Sequence, residues 1–141
     1  MDVSGEYLKN TVEGASKEDL LLIMLEGGER FIRRAQAELV RGNHEGVHIN
    51  VMKAQNIYLE LFCALDQEAG DFVQHLQGLY YFLYDNLLEA NIKKDLVLLG
   101  NCLKVAMDLT AMWREVVDKY HREIHGAMEV SREMKSVDIK G

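Results

Sequence analysis

Glu45 and His48 stand three residues apart, the spacing at which one helix offers a carboxylate and an imidazole to a carboxylate-bridged metal pair. Such centres need that pair on two helices and glutamates from two more, and no second pair is present. His121 and His125 share a helical face at a spacing suited to zinc, but a zinc site needs at least a third ligand. The sequence therefore predicts no metal and no cofactor. His75, followed by Gly78 one turn on, is the one arrangement suited to accepting a phosphoryl group, because a small residue there admits a partner's active site. No Ser-His-Asp order, glycine-rich phosphate loop or buried carboxylate pair appears. Cys63 and Cys102 lie far apart in apolar surroundings and read as small buried hydrophobes in a reducing compartment. Nothing here describes a catalyst.

The elements that must position these residues are helical. The chain has 141 residues, no proline and a formal charge of -7. That length suits one domain, the missing proline removes the strongest helix breaker, and the charge disfavours nucleic acid and anionic membranes. The start, Met1 to Glu6, has no signal-peptide pattern, and no unbroken apolar run approaches the roughly 20 residues of a membrane span. A cytoplasmic protein without stable membrane insertion is expected.

Ser16 with Asp19 three residues on starts a first helix near residue 17. Leu20, Met24, Gly27, Phe31, Ala35 and Leu39 form its inward stripe until Arg41-Gly42-Asn43 stops it. Gly27 and Gly28 inside this helix each cost about 1 kcal/mol against alanine, so a close neighbour is expected there. Asn43 caps a second helix with Val47, Val51, Ala54, Tyr58, Leu61 and Leu65 inward. After a link over 66–70, Asp71 caps a third carrying Phe72, Leu76, Leu79, Leu83 and Leu87, with a break around Ala90-Asn91-Ile92. The fourth aligns Leu99, Leu103, Ala106, Thr110, Trp113, Val117, Tyr120 and Ile124. The expected architecture is an all-α, antiparallel up-and-down four-helix bundle over 16–125. An N-terminal segment, 1–15, precedes it, and a frayed or disordered tail, 126–141, follows.

There is more apolar surface than one bundle uses. A core-facing helix needs about three apolar residues in seven, yet residues 72–88 hold eleven in seventeen and residues 96–113 thirteen in eighteen. The excess on the fourth helix forms a second row, Leu98, Cys102, Val105, Leu109, Met112 and then Val116. Apolar rows of that length mark a groove for a partner helix; a homodimer or simple interior burial are the alternatives. Ile57, Tyr84, Leu88, Leu98, Cys102, Val105, Leu109 and Met112 are the expected groove residues, chosen by apolar surplus.

Two resemblances bear on function. His75 with Gly78 is similar to the site of histidine phosphotransfer domains, also four-helix bundles, but Gln77 stands where those keep a lysine. The second is broader. Tyr7, then Ala15-Ser16-Lys17-Glu18-Asp19-Leu20, Ile23-Met24-Leu25-Glu26-Gly27, Arg30, Phe31 and Ala35 fall in step with the FliS-type flagellin-specific export chaperones. So do Lys53-Ala54-Gln55-Asn56-Ile57, Glu60-Leu61, Leu65-Asp66, Leu79-Tyr80 through Leu87, Ala90-Asn91, Asp95 and Trp113. Lys17 replaces the usual proline and Leu25 the usual tyrosine. This resemblance implies a non-enzymatic chaperone. It would bind the C-terminal segment of flagellin, prevent premature polymerisation, and deliver flagellin to the cytoplasmic domain of the export gate's membrane component. It also implies that Tyr7, with Leu8 and Val12 beside it, covers the groove and helps engage the gate. The functional alternatives from the residues alone remain a phosphotransfer module using His75 or a structural homodimer.

Overall fold

The computed structural model describes residues 16–66, 68 and 70–140, with side chains as far as residue 135. Four helices and no strand occur among the described residues: α1 Lys17–Val40, α2 His44–Cys63, α3 Asp71–Lys93 and α4 Leu96–Lys140. The chain divides into two compact units at Thr110. The first contains α1, α2, α3 and the beginning of α4; the second, from Ala111, is the remainder of α4.

The helix ends follow the capping chemistry closely. The Ser16 hydroxyl accepts from the Asp19 amide at 3.2 Å, and Asn43 Oδ1 accepts from the Gly46 amide at 3.1 Å. Gly42 takes the positive φ of 78° that closes α1. At α3 the cap position belongs to Gly70, φ 92°, rather than Asp71, which becomes the first helical residue. There its carboxylate faces the positive end of the helix dipole. The break expected at 90–92 lies instead at Lys94 and Asp95. Ala90 and Asn91 are buried, Lys94 adopts the left-handed conformation, and Asp95 Oδ1 accepts from the amides of Val97 (2.9 Å) and Leu98 (3.2 Å) to start α4. Lys94 Nζ donates back to the Asn91 carbonyl at 2.8 Å, so the last turn of α3 is held rather than broken.

Inside the first unit, α2 presents the stripe its sequence gives: Val47, Val51, Ala54, Tyr58 and Leu61 are buried, and Leu65, beyond the helix end, is half-buried. α1 is turned by one residue from expectation. Leu25, Gly28, Ile32 and Ala35 are sealed with Gly27, whereas Leu20, Met24, Phe31 and Leu39 are only half-buried. The cause is Tyr58, whose ring lies against the α1 backbone; a Cβ added at Gly28 would overlap its hydroxyl and come within 2.7 Å of Cζ. The Gly28 backbone must therefore face α2. In α3 the sealed residues are Val73, Leu76, Tyr80, Leu83, Leu87 and Ala90, while Phe72 is exposed and Leu79 half-buried. A helix apolar on nearly every side offers several stripes. Two polar ties accompany the one adopted: Gln55 Nε2 donates to the Tyr84 carbonyl at 3.1 Å, and Asn91 Nδ2 lies 2.9 Å from His48 Nδ1.

The beginning of α4 buries Leu99, Cys102, Ala106, Leu109 and Thr110, and Leu103 is half-buried. By length and composition alone one stretch of this helix is apolar enough to cross a membrane, although polar residues such as Asn101, Lys104 and Asp108 interrupt it. Only 28 % of that stretch is buried, so the core contacts of these five residues account for a minority of its apolarity.

In the second unit the helix continues to Lys140 where an unstructured tail from residue 126 was expected. Nothing in the sequence stops it: Ala127, Met128, Glu129, Glu133, Met134 and Lys135 are good helix formers, and Gly126 alone costs only about 1 kcal/mol. Tyr120 and Ile124, expected inward, are exposed, as are Met128, Val130 and Met134. Helical periodicity carries the stripe on whether or not anything covers it.

The glycines make a paired test. Gly28→Ala should destabilise the protein by about 1–3 kcal/mol through overpacking against Tyr58. Gly78→Ala, where an added Cβ meets nothing within 4 Å, should stabilise it by about 1 kcal/mol. Urea midpoints read by circular dichroism measure both.

Candidate functional site

Between α2 and α3 lies an open apolar pocket of about 230 Å³, lined by Tyr58, Leu59, Phe62, Tyr80, Tyr81 and Tyr84. The pairing of the two helices builds it. His48 of α2 meets Asn91 of α3, and Gln55 meets Tyr84, so residues later in α2 face residues earlier in α3. Leu59 and Phe62 thereby come beside Tyr80 and Tyr81. The same register lines Met52 and Ile49 up with Leu88 and Ile92, all four exposed. Leu59 (45 %) and Tyr81 (64 %) are exposed as well, so an apolar seam continues along both helices from the pocket. Tyr58 and Tyr80 form its floor, each almost fully buried.

The floor is also electrostatically unusual. Burial, with the nearby Glu29 carboxylate adding to it, pushes the Tyr58 phenol well above its ordinary range. Its buried hydroxyl has no hydrogen-bond partner among the described residues. Cys102 is buried too, and burial pushes its thiol up to about 11. Both groups stay neutral at physiological pH, which suits an apolar floor and argues against nucleophilic use of Cys102. Cys63, expected to be buried, is exposed.

The structure distributes the expected groove residues rather than gathering them. Tyr84 lines the pocket and Leu88 lies along the seam. Ile57 sits on the other side of α2, toward α1, where its Cδ1 would be 3.4 Å from a Cβ on Gly27. Leu98 and Val105, two turns apart on α4, are half-buried. Cys102 and Leu109 are core residues, 1 % and 2 % exposed, a correction to the second row: an excess row next to a core stripe partly merges with it, because the stripe is broad. Met112 is half-buried and belongs to the second unit. Tyr7, Leu8 and Val12 lie outside the described residues.

Leu59, Phe62 and Tyr81 were not anticipated. The signal for Leu59 was the second apolar row of α2, Ile49, Met52, Leu59 and Cys63 at helical spacing, partly masked by Asn56 in its middle.

The chemistry-bearing groups resolve simply. His48 Nδ1 is engaged by Asn91, and His121 and His125 are exposed. No cluster of three or more metal-ligating side chains occurs among the described residues. His75 is exposed beside an open Gly78, but the Gln77 amide nitrogen is buried without a partner among the described residues and does not serve that face.

Thiol reactivity tests the floor. With an aromatic disulfide reagent at neutral pH, Cys63 should react at once and Cys102 only after unfolding. The Cys102 pKa is higher in the folded state, so its contribution to stability is complete below its ordinary value of 9.0 and is lost as pH rises toward about 11. Urea midpoints should fall across that window, and less so in Cys102→Ala.

The sequence pattern of the family described as "Flagellar protein FliS" matches residues 2–120. Named relatives agree. The flagellar secretion chaperone FliS of Bacillus subtilis (strain 168) is 28 % identical over 121 residues, 86 % of this chain and 90 % of that protein. The protein of the same name from Campylobacter jejuni is 31 % identical over 111 residues, 78 % of this chain and 87 % of its own. That of Escherichia coli K12 is 26 % identical over 110 residues, covering 77 % and 81 %. This chain, with its open apolar pocket between α2 and α3, belongs to the FliS family of flagellar secretion chaperones.

Proposed function

We propose that this chain binds the C-terminal segment of flagellin in the cytoplasm, keeps it from polymerising early, and delivers it to the cytoplasmic domain of the export gate's membrane component. The observation that carries this reading is the exposed aromatic pocket and seam between α2 and α3 in a member of a secretion chaperone family. An assembly segment deprived of its assembly partners is apolar on one face, and covering it removes that face from water at about 25 cal/mol per Å². Folding of the segment on binding returns about 2–5 kcal/mol of this gain, which keeps the complex releasable without nucleotide.

The scaffold in this reading is an antiparallel up-and-down four-helix bundle. Its support is the short links at 41–43 and 94–95 and the pairing of α2 with α3 in opposite chain directions. Tyr84 and Leu88, with Leu59, Phe62 and Tyr81, form the principal client surface; Leu98 and Val105 supply apolar contact further along the client, and Ile57 a lesser one. Tyr7, Leu8 and Val12 cover the client surface before flagellin arrives and engage the gate.

Calorimetry with a peptide of the flagellin C-terminal segment should give a one-to-one complex. Tyr81→Asp and Leu88→Asp should each weaken it by at least about tenfold, with unchanged helical dichroism and unchanged mass by light scattering. No complex, or undiminished affinity in both variants, would overturn the assignment. A halving of mass in Tyr81→Asp would assign the seam to a homodimer.

A further inference from the structure

On the α1 side of α2 a different surface appears. The half-buried Phe31 ring is surrounded by three cations: the guanidinium carbon of Arg34 and the ammonium of Lys53 each lie 5.5 Å from its centroid, and that of Arg30 lies 6.0 Å away. All three side chains are exposed, and none has an ion-pair partner among the described residues. Two of the neighbouring carboxylates are turned elsewhere, and Glu26, one turn before Arg30, is itself engaged. Glu29 pairs with Arg33 at 3.6 Å. Glu38, one turn beyond Arg34, is taken by Arg41 at 3.3 Å and by the Asn43 amide at 2.6 Å. A chain of net charge -7 thus gathers around one aromatic ring three cations that have no ion-pair partner among the described residues.

We propose that this patch is a docking surface for an acidic, partly apolar peptide segment of a partner protein, separate from the α2–α3 seam. Arg30 and Arg34 stand one helical turn apart, about 6 Å along the axis, so they fit two carboxylates at that spacing, each guanidinium offering a fork of donors. Lys53 supplies a third charge from the opposite helix, and Phe31 receives an apolar side chain between them. The ring also decides the class of ligand. An apolar ring within 6.0 Å of all three cations offers a peptide side chain a contact that an inorganic phosphate cannot use. The net negative charge of the chain opposes nucleic acid or an anionic membrane beyond the patch.

The test uses a fluorescein-labelled acetyl-Glu-Leu-Asp-Glu-Leu-Asp peptide, its Gln/Asn counterpart, and the full chain, read by anisotropy. The acidic probe should bind, and more weakly as salt rises. The amide probe should bind at least about tenfold less well. Arg30→Glu/Arg34→Glu should lose binding by a similar factor with unchanged dichroism, and Lys53→Glu should lose a smaller part. Arg33→Glu, whose charge is already paired, should not, and flagellin-peptide affinity should be unchanged in the double variant. Equal binding of both probes, or equal loss in Arg33→Glu, overturns the proposal. Displacement of the probe by tripolyphosphate at concentrations below those of the unlabelled peptide overturns it in favour of a phosphate site. A tenfold gain in probe affinity on replacing Asp2, Glu6 and Glu13 by their amides overturns it in favour of the chain's own N-terminal acids.

Discussion

The contact of the Tyr58 ring with the α1 backbone at Gly28 is the constraint around which the first unit is arranged. Tyr58 is fully buried and cannot swing aside, so the approach of α2 to α1 exists only because residue 28 has no side chain. The same ring forms part of the pocket floor against α3, and its phenol is pushed up by burial, with Glu29, Cys102 and Tyr80 adding to it. One side chain therefore sets the rotation of α1 and the depth of the α2–α3 pocket together. The hydroxyl carries a cost, since a buried polar group without a partner forfeits its hydration. Phenylalanine would avoid that cost, and no partner among the described residues explains the retained oxygen.

Where the sequence was legible, local chemistry decided the outcome. Ser16, Asn43 and Gly42 act through groups within a few residues of themselves, so capping rules place the ends of α1 and α2 correctly. The stripe of α2 was readable because polar residues such as His48, Asn56 and Glu60 separate its apolar positions cleanly. In α1 only Gly27 and Ala35 of the expected stripe are buried, and in α3 Leu76, Leu83 and Leu87 are, with Phe72 and Leu79 displaced by Val73 and Tyr80; the two helices departed from expectation for opposite reasons. In α1 the decisive core position is Gly28, which contributes nothing to an apolar pattern. In α3 the run Leu79-Tyr80-Tyr81-Phe82-Leu83-Tyr84 is apolar throughout, so the inward face depends on ties to α2 that no local pattern contains.

The pocket was hidden for the same reason. An excess of apolar residues showed that a partner surface should exist, but its location depends on which α2 residue meets which α3 residue. That register is associated with two polar ties, Gln55 to the Tyr84 carbonyl and His48 to Asn91, separated by tens of residues in the chain. On α4 the row chosen from the sequence straddled the edge of the core, and Cys102 and Leu109 fell inside it. The surplus count implied exposed apolar surface, which the structure has, and could not orient it.

The two sides of α2 differ in chemistry. Toward α3 the exposed residues are apolar and aromatic, Leu59, Tyr81 and Leu88 among them, with no charge in the pocket lining. Toward α1 the exposed residues around Phe31 are cationic. An apolar face discriminates poorly among apolar ligands but grips them through area, whereas a charged face adds little affinity in water and much orientation and selectivity. Their separation by the width of one helix lets an occupant of the seam leave the cationic side free. Because Tyr58 and Ile57 of the same turn of α2 reach Gly28 and Gly27, displacement of the Tyr58 ring by an occupant of the pocket would be felt first by α1, the helix that carries Arg30, Phe31 and Arg34. The Gly27–Gly28 stretch is thus the place where the helix carrying the cations lies directly against the ring that floors the pocket.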